Sequence, residues 1–167
     1  MKPPHTAKTS TPSLSEGLER LQQQVQAGEF TAAISLSQAL IRNHPKHALL
    51  YNVLGIAHSQ LAQNEDAAKA FASAIKVEPN YAEAIGNIIT ILIVLDRVPD
   101  TKPYVLKGLE LEPHNLGLRQ VLAEALYEGG DFNGALAQAE IILAGRPGDI
   151  HAQKVKDEAL KAMAQIH

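Results

Sequence analysis

The sequence predicts an all-α chain built from repeated pairs of short helices. Four of the prolines lie at equal intervals along the chain: Pro45, Pro79, Pro113 and Pro147. The stretch from Ala48 to Tyr81 reads as two amphipathic helices joined by a tight turn, with apolar residues three and four places apart. Two such helices cannot bury their apolar faces alone. We therefore expect copies of this unit to stack along the chain.

The composition favours closely packed helices and excludes several classes of function. The chain of 167 residues is 46% hydrophobic but only 4% aromatic, so alanine and leucine must form most of the core. Its net charge of −3 gives no basic footprint for a nucleic-acid partner. Cysteine is absent, which excludes a disulfide framework, a thiol nucleophile and a cysteine metal site.

The stretch from Ala48 to Tyr81 resembles the tetratricopeptide repeat, a helix–turn–helix unit whose period of about 34 residues equals the interval between the four prolines. His58 stands where that family usually has tyrosine. The resemblance covers about residues 14–149 and implies a right-handed superhelical solenoid of four units plus a capping helix. The signature places that match the family are Tyr51, Leu54, Gly55, Ala67, Phe71, Ala74 and Pro79.

We predict four repeats, at residues 14–47, 48–81, 82–115 and 116–149, with a capping helix at 150–166; the single domain is 14–167. Residues 1–13 are rich in proline, serine and threonine and are expected to be disordered. Ser13 and Glu16 form a capping-box pattern that starts the first helix at Leu14, and Gly28 ends it. The first unit keeps few signature residues, as terminal repeats often do.

The third unit departs most from the pattern. Its first helix, AEAIGNIITILIVL, is apolar on nearly every side, so it must be buried all round or meet a partner. Ile89 replaces Gly55 at the point where two helices press together, and we expect Gly108 to make room for it. Pro103 is tolerated only in the first turn of a helix, so Asp100 is the predicted N-cap.

We predict no catalytic residue, cofactor or metal, and therefore no enzyme. The histidines lie mostly in turns, without carboxylates at a metal-binding spacing. The first residues lack the apolar core of a secretory signal, and the longest apolar run, from Ile88 to Leu95, is too short to span a bilayer. We expect a soluble, cytoplasmic protein without membrane insertion.

By the family resemblance, the first helix of each pair lines an inner groove. The middle of this groove is apolar and neutral, with acidic residues toward its C-terminal side. The basic set with which some relatives clamp terminal carboxylates is absent, as is the asparagine ladder of others. The predicted protein-binding residues are Leu49, Asn52, Ile56, Thr90, Ile93, Val94, Glu124 and Tyr127.

The leading hypothesis is a non-enzymatic scaffold that binds a protein or peptide in this groove. One alternative is the N-terminal segment of a larger enzyme such as a sulfotransferase or glycosyltransferase, since the sequence stops directly after a helix. Another is self-assembly into a homo-oligomer through the apolar strip. The plainer interpretation is that Ile93 and Val94 pack within a tighter superhelix or against the chain's own tail.

Overall fold

The computed structural model describes residues 12–165, and within that range the chain forms nine α-helices, one 3-10 helix and no strand. Residues 1–11, most of the segment predicted to be disordered, lie outside the described residues, as do 166 and 167. The 3-10 helix is Val98–Thr101. The α-helices are α1 Leu14–Gln26, α2 Phe30–Asn43, α3 Ala48–Gln60, α4 Asn64–Val77, α5 Ala82–Val94, α6 Lys102–Leu111, α7 Leu116–Glu128, α8 Phe132–Gly145 and α9 Ile150–Gln165.

The helices repeat with the period that the prolines predict. The first residues of α1, α3, α5, α7 and α9 are separated by the same interval as the four prolines. Consecutive α-helices pack on one another from α1 to α9, so the pairs stack in chain order. The all-α solenoid predicted from the sequence is confirmed. We call α1, α3, α5 and α7 the inner helices and α2, α4, α6 and α8 the outer helices.

The turn inside each pair has the same backbone geometry in all four repeats. One residue per turn has a positive φ, always at the same place in the repeat: Gly28 (75°), Ala62 (56°), Asp96 (56°) and Gly130 (81°). The next residue donates its N–H to a carbonyl near the end of the preceding helix, as Gln63 does to His58 at 2.9 Å. This is the Schellman ending of a helix, and only glycine adopts it without steric cost. Two of the four repeats therefore carry backbone strain in this turn.

The contact between the two helices of a repeat is fixed by pairs of complementary size. A Cβ atom on Gly55 would lie 2.6 Å from ring carbons of Phe71, so only glycine fits beneath that ring. In the third repeat the same two positions hold Ile89 and Val105, both buried in one apolar cluster. The larger residue of the pair therefore lies on the inner helix in the third repeat, whereas it lies on the outer helix in the second. The first and fourth repeats hold Leu21 with Ser37 and Ala123 with Ala139, all buried.

The predicted role of Gly108 is wrong. A Cβ atom on Gly108 would lie 2.9 Å from Leu118 and 3.7 Å from Ile85, and no atom of Ile89 is among its nearest neighbours. Gly108 therefore makes room for Leu118. Ile89 instead shares an apolar cluster with Val105, which is smaller than the phenylalanine of the preceding repeat.

The predicted N-cap of the sixth helix is also wrong. The chain already turns at Val98, where Pro99 provides the fixed φ that suits the first turn of a helix. Asp100 lies inside this 3-10 turn and accepts a hydrogen bond from Arg97 Nε at 2.7 Å. Helix α6 then begins at Lys102 with Pro103 in its first turn, as the missing N–H of proline requires.

The first and last helices of the described residues end the stack in different ways. The capping box at the start of α1 is present, with Ser13 Oγ accepting from the Glu16 N–H and the Glu16 carboxylate accepting from the Ser13 N–H. At the other end, α9 buries Ala152, Val155 and Ala159 against the last pair and turns charged residues to solvent. Among the helices of residues 12–165, none has both the length and the apolar character that crossing a bilayer requires.

Gly55→Ala is expected to lower the free energy of unfolding by about 2 kcal/mol, because the added methyl group overpacks the ring of Phe71. The matched control is Gly86→Ala in α5, where a Cβ atom would meet nothing within 4 Å. It should raise the free energy by about 1 kcal/mol, since alanine is the better helix former. Urea denaturation followed by circular dichroism measures both.

The pairing predicts a strong coupling between Gly55 and Phe71. In a Phe71→Val background, which reproduces the valine of the third repeat, Gly55→Ala should cost about 1 kcal/mol less than it does in the original chain. Additive effects of the two substitutions would contradict the size-complementary contact.

Ala62→Gly is expected to raise the free energy of unfolding by about 1 kcal/mol, because it relieves a left-handed backbone conformation that disfavours L-residues. The control is Ala137→Gly, an exposed alanine inside α8. That change should lower the free energy by about 1 kcal/mol, as glycine does inside a helix. Equal effects of the two changes would contradict the turn geometry.

Candidate protein-binding surface

The inner helices leave an apolar groove open between α1 and α3. Its volume is about 490 Å³. Although Leu49 is apolar it is 38% exposed, and three other groove residues, Leu18, Val25 and Val53, are only half-buried. Exposed apolar patches of this kind mark interaction sites. The residues that line the groove are Ser15, Leu18, Glu19, Leu21, Gln22, Val25, Gln26, Leu49, Val53 and Ile56.

A second, smaller cavity continues this groove toward the middle of the chain. It lies between α3 and α5, has a volume of about 190 Å³ and shares Ile56 with the first groove. Ser59, Gln60, Asn87 and Thr90 form its polar part. Two predicted site residues, Leu49 and Ile56, thus line one groove, and Ile56 and Thr90 line the next. We call the face of the four inner helices on which these two cavities lie the inner surface.

The apolar fifth helix is covered on most of its circumference but not on all of it. Ile85, Ile88, Ile89, Ile91 and Leu92 are buried between repeats. The predicted site residues Ile93 and Val94, by contrast, are 42% and 60% exposed with all described residues in place. They therefore extend the uncovered apolar surface along α5 rather than filling space between the described helices.

Asn52 has a different environment from the other predicted site residues. It is completely buried, and both of its amide atoms are hydrogen-bonded. Its Nδ2 donates to Glu83 Oε1 at 3.0 Å, and its Oδ1 accepts from Asn87 Nδ2 at 3.1 Å. The amide thus joins α3 to α5 across the repeat boundary. In this structure Asn52 holds two inner helices together and presents no polar atom to a partner.

Tyr81 lies beside this polar network. Burial raises the pKa of its phenol, and the negative charge of Glu83 raises it further, while a hydrogen bond with Asn52 acts in the opposite direction. The phenol therefore stays neutral at physiological pH. The only formal charge that the network contributes to the inner surface is the carboxylate of Glu83.

The two predicted site residues of α7 line neither cavity. Glu124 and Tyr127 are both half-buried. The ring of Tyr127 packs against Phe132 at the start of α8, with 5.5 Å between the ring centroids and 60° between the ring planes. Tyr127 thus belongs partly to the core, while Glu124 stands at the C-terminal side of the inner surface.

The sequence interpretation missed the contribution of α1. Leu18 and Val25 line the groove, although none of the predicted binding residues lies on α1. They lie one repeat before Asn52, a predicted binding residue, and Ser59, which lines the second cavity. The period alone contained this signal.

The described residues give no support for a metal centre. Among residues 12–165, no group of three or more histidine, cysteine or acidic side chains is placed to hold a metal ion. His58, at the tyrosine position of the repeat signature, is half-buried, and its Nδ1 lies 2.6 Å from Gln63 Oε1. This hydrogen bond ties the end of α3 to the turn that follows it.

Comparisons with known proteins find matches to the structure of the chain but not to its sequence. No family model matches the sequence, and no curated protein matches it. Solved structures, by contrast, match the fold. A MamA structure, AMB-1 P212121, superposes with a TM-score of 0.72 at 17% identity, over 90% of this chain and 82% of that one. YrrB, described as a TPR protein with an unusual peptide-binding site, gives 0.67 at 15% identity, over 92% and 93%.

The fold is that of a tetratricopeptide-repeat protein. At this identity the similarity to MamA and YrrB shows the fold alone, and it agrees with the repeat signature of residues 48–81. The tetratricopeptide-repeat architecture also explains why the inner helices share one surface, since stacked pairs place equivalent residues side by side.

Asn52→Ala is expected to lower the free energy of unfolding by about 2 kcal/mol, because it leaves Glu83 and Asn87 without their shared partner at a repeat boundary. Thermal or urea denaturation measures the change. Asn64→Ala, at the first position of α4, serves as a control in which no hydrogen bond to another repeat is lost. Equal effects of the two substitutions would contradict the structural role of Asn52.

Proposed function

We propose that this chain is a non-enzymatic scaffold that binds a peptide or helix of a partner protein on its inner surface. The observation that carries the proposal is the open apolar groove between α1 and α3, whose wall includes the exposed Leu49. Apolar side chains left open to water at one continuous site gain most from contact with another apolar surface. Binding a partner's side chains in this groove would supply that contact.

The proposed contact residues combine the two cavities with the exposed strip of α5 and two half-buried residues of α7. From the predicted set we retain Leu49, Ile56, Thr90, Ile93, Val94, Glu124 and Tyr127, and we add Leu18, Val25 and Val53 from the groove. Asn52 is left out because its side chain is buried and both of its amide atoms are hydrogen-bonded to the next inner helix. A partner that fits this surface lays a row of apolar side chains along the inner helices, as an amphipathic helix does in a groove.

Two further points support binding rather than catalysis. The inner surface of the described residues presents apolar area and separate glutamates, and not a nucleophile held beside a base. In addition, one structural neighbour, YrrB, is described as having a peptide-binding site. The same type of fold is thus used elsewhere to bind a peptide.

Ile93→Asp is expected to weaken binding at least tenfold, or by about 1.4 kcal/mol, since it places a charge in the apolar strip. The ligands are peptides selected from a random display library on the immobilised chain, and fluorescence anisotropy measures their Kd. The matched control is Ile141→Asp on α8, because Ile141 is 43% exposed and Ile93 is 42% exposed. The control should bind as tightly as the original chain.

A second variant keeps the test decisive if Ile93→Asp unfolds, which circular dichroism would reveal. Leu49→Gln changes an exposed wall residue of the groove without adding a charge, and it should also weaken binding. Selected peptides that bind both inner-surface variants as tightly as the original chain would contradict the proposal.

A further inference from the structure

We propose that the partner segment is cationic as well as amphipathic, with apolar side chains that enter the groove between α1 and α3 and lysine or arginine residues that lie over α5 and α7. This inference rests on the proposed function, and it specifies the chemistry of the partner. The observation behind it is the distribution of charge over the inner helices.

The inner helices are acidic and contain no lysine. Together α1, α3, α5 and α7 hold five glutamates and two arginines. The lysines of residues 12–165 lie instead in α4, α6, α9 and the turn at Lys46. The glutamates are Glu16, Glu19, Glu83, Glu124 and Glu128.

Neither arginine of the inner helices belongs to the inner surface. Arg119 donates to Gln138 Oε1 on α8 at 3.0 Å and to the carbonyl of Pro113 at 2.9 Å, so its guanidinium is directed toward the outer helix. Arg20 occupies the repeat position of Ile88 and Leu122, which are buried between repeats. It therefore points to the N-terminal end of the stack.

The glutamates of the inner surface are not neutralised within the described residues. Glu19, Glu83, Glu124 and Glu128 form no ion pair with a lysine or arginine of residues 12–165. The four ion pairs nearest the middle of the chain join residues of α4, the 3-10 turn and α6 instead. A partner can therefore supply the missing positive charge, and a cationic segment gains attraction where an anionic one meets repulsion.

The acidic residues are concentrated in one part of the surface. The groove between α1 and α3 has Glu19 as its single charged wall residue, and α3 has no acidic or basic residue apart from His58. Glu83, Glu124 and Glu128 lie on α5 and α7, where Ile93 and Val94 are also exposed. The acidic part ends at α9, where Lys154 pairs with Glu158 at 3.9 Å. This order favours a partner segment that has an apolar face along its length and basic residues where it lies over α5 and α7.

Two synthetic peptides of about 18 residues, roughly five helical turns, test the charge of the partner. Both have leucine on one helical face, and the other face is lysine in one peptide and glutamate in the second. At low ionic strength the full chain should bind the leucine–lysine peptide at least about tenfold more tightly. Added salt should reduce this preference to about twofold, because the charges are exposed and screened. Fluorescence anisotropy gives both affinities.

Variants test whether the glutamates of the inner surface attract the basic peptide. Glu124→Gln with Glu128→Gln should weaken binding of the leucine–lysine peptide about fivefold, because the peptide's positive charges lose their partners. The control is Glu65→Gln with Glu110→Gln on the outer helices, which changes the net charge equally. That control should leave the affinity within about twofold of the original, as expected for exposed charges away from the site.

The outcomes separate this inference from the proposed function. Equal binding of the two peptides, with both weakened by Leu49→Gln, would overturn the cationic partner and leave the scaffold in place. Binding of the lysine peptide that is unchanged by Leu49→Gln would overturn both, since charge alone would then hold it. A concentration-dependent mass in light scattering that Leu49→Gln abolishes would make a second copy the occupant, and it too would overturn the cationic segment.

Discussion

The structure depends on the contact between the two helices of each repeat. Gly55 and Phe71 set this contact in the second repeat, where no atom beyond the glycine backbone fits beneath the ring. Ile89 and Val105 fill the same space in the next repeat with the larger residue on the opposite helix. Because protein interiors are close-packed, the size of one side chain in such a pair limits the size of the other.

The packing inside the pairs has a consequence for the inner surface. Side chains of an inner helix that face away from its outer helix are covered only by a neighbouring pair or by a partner. Between α3 and α5 the neighbouring pair provides this cover, since Asn52 forms hydrogen bonds with Glu83 and Asn87 of the next inner helix. Between α1 and α3 the corresponding residues are apolar, and the groove stays open. The proposed binding surface is thus the part of the repeat that packing leaves uncovered.

The same separation of roles explains where the charges lie. Outer helices and turns carry exposed ion pairs such as Lys69 with Asp66, which contribute little to stability but keep that face soluble. The inner helices carry glutamates without cationic partners in the described residues, beside a neutral apolar groove. Unpaired charges of one sign on a continuous surface create a field that selects among partners and speeds the approach of those with the opposite charge. Apolar contact would then provide affinity, and charge would provide selectivity.

The sequence by itself determined the repeat, because the regular spacing of the prolines and the capping pattern at Ser13 are properties of the chain read in one dimension. It also placed Leu49, Ile93 and the other candidates on the inner helices, through the family's pattern. The tertiary structure decided which of these side chains remain exposed: Asn52 is buried, whereas Leu18 of the atypical first repeat lines the groove. It also decided that Gly108 makes room for Leu118, while Ile89 shares its apolar cluster with Val105. Periodicity gives the face of a helix on which a residue lies, but the coverage of that face depends on the distance and rotation between neighbouring helices, which no single helix encodes.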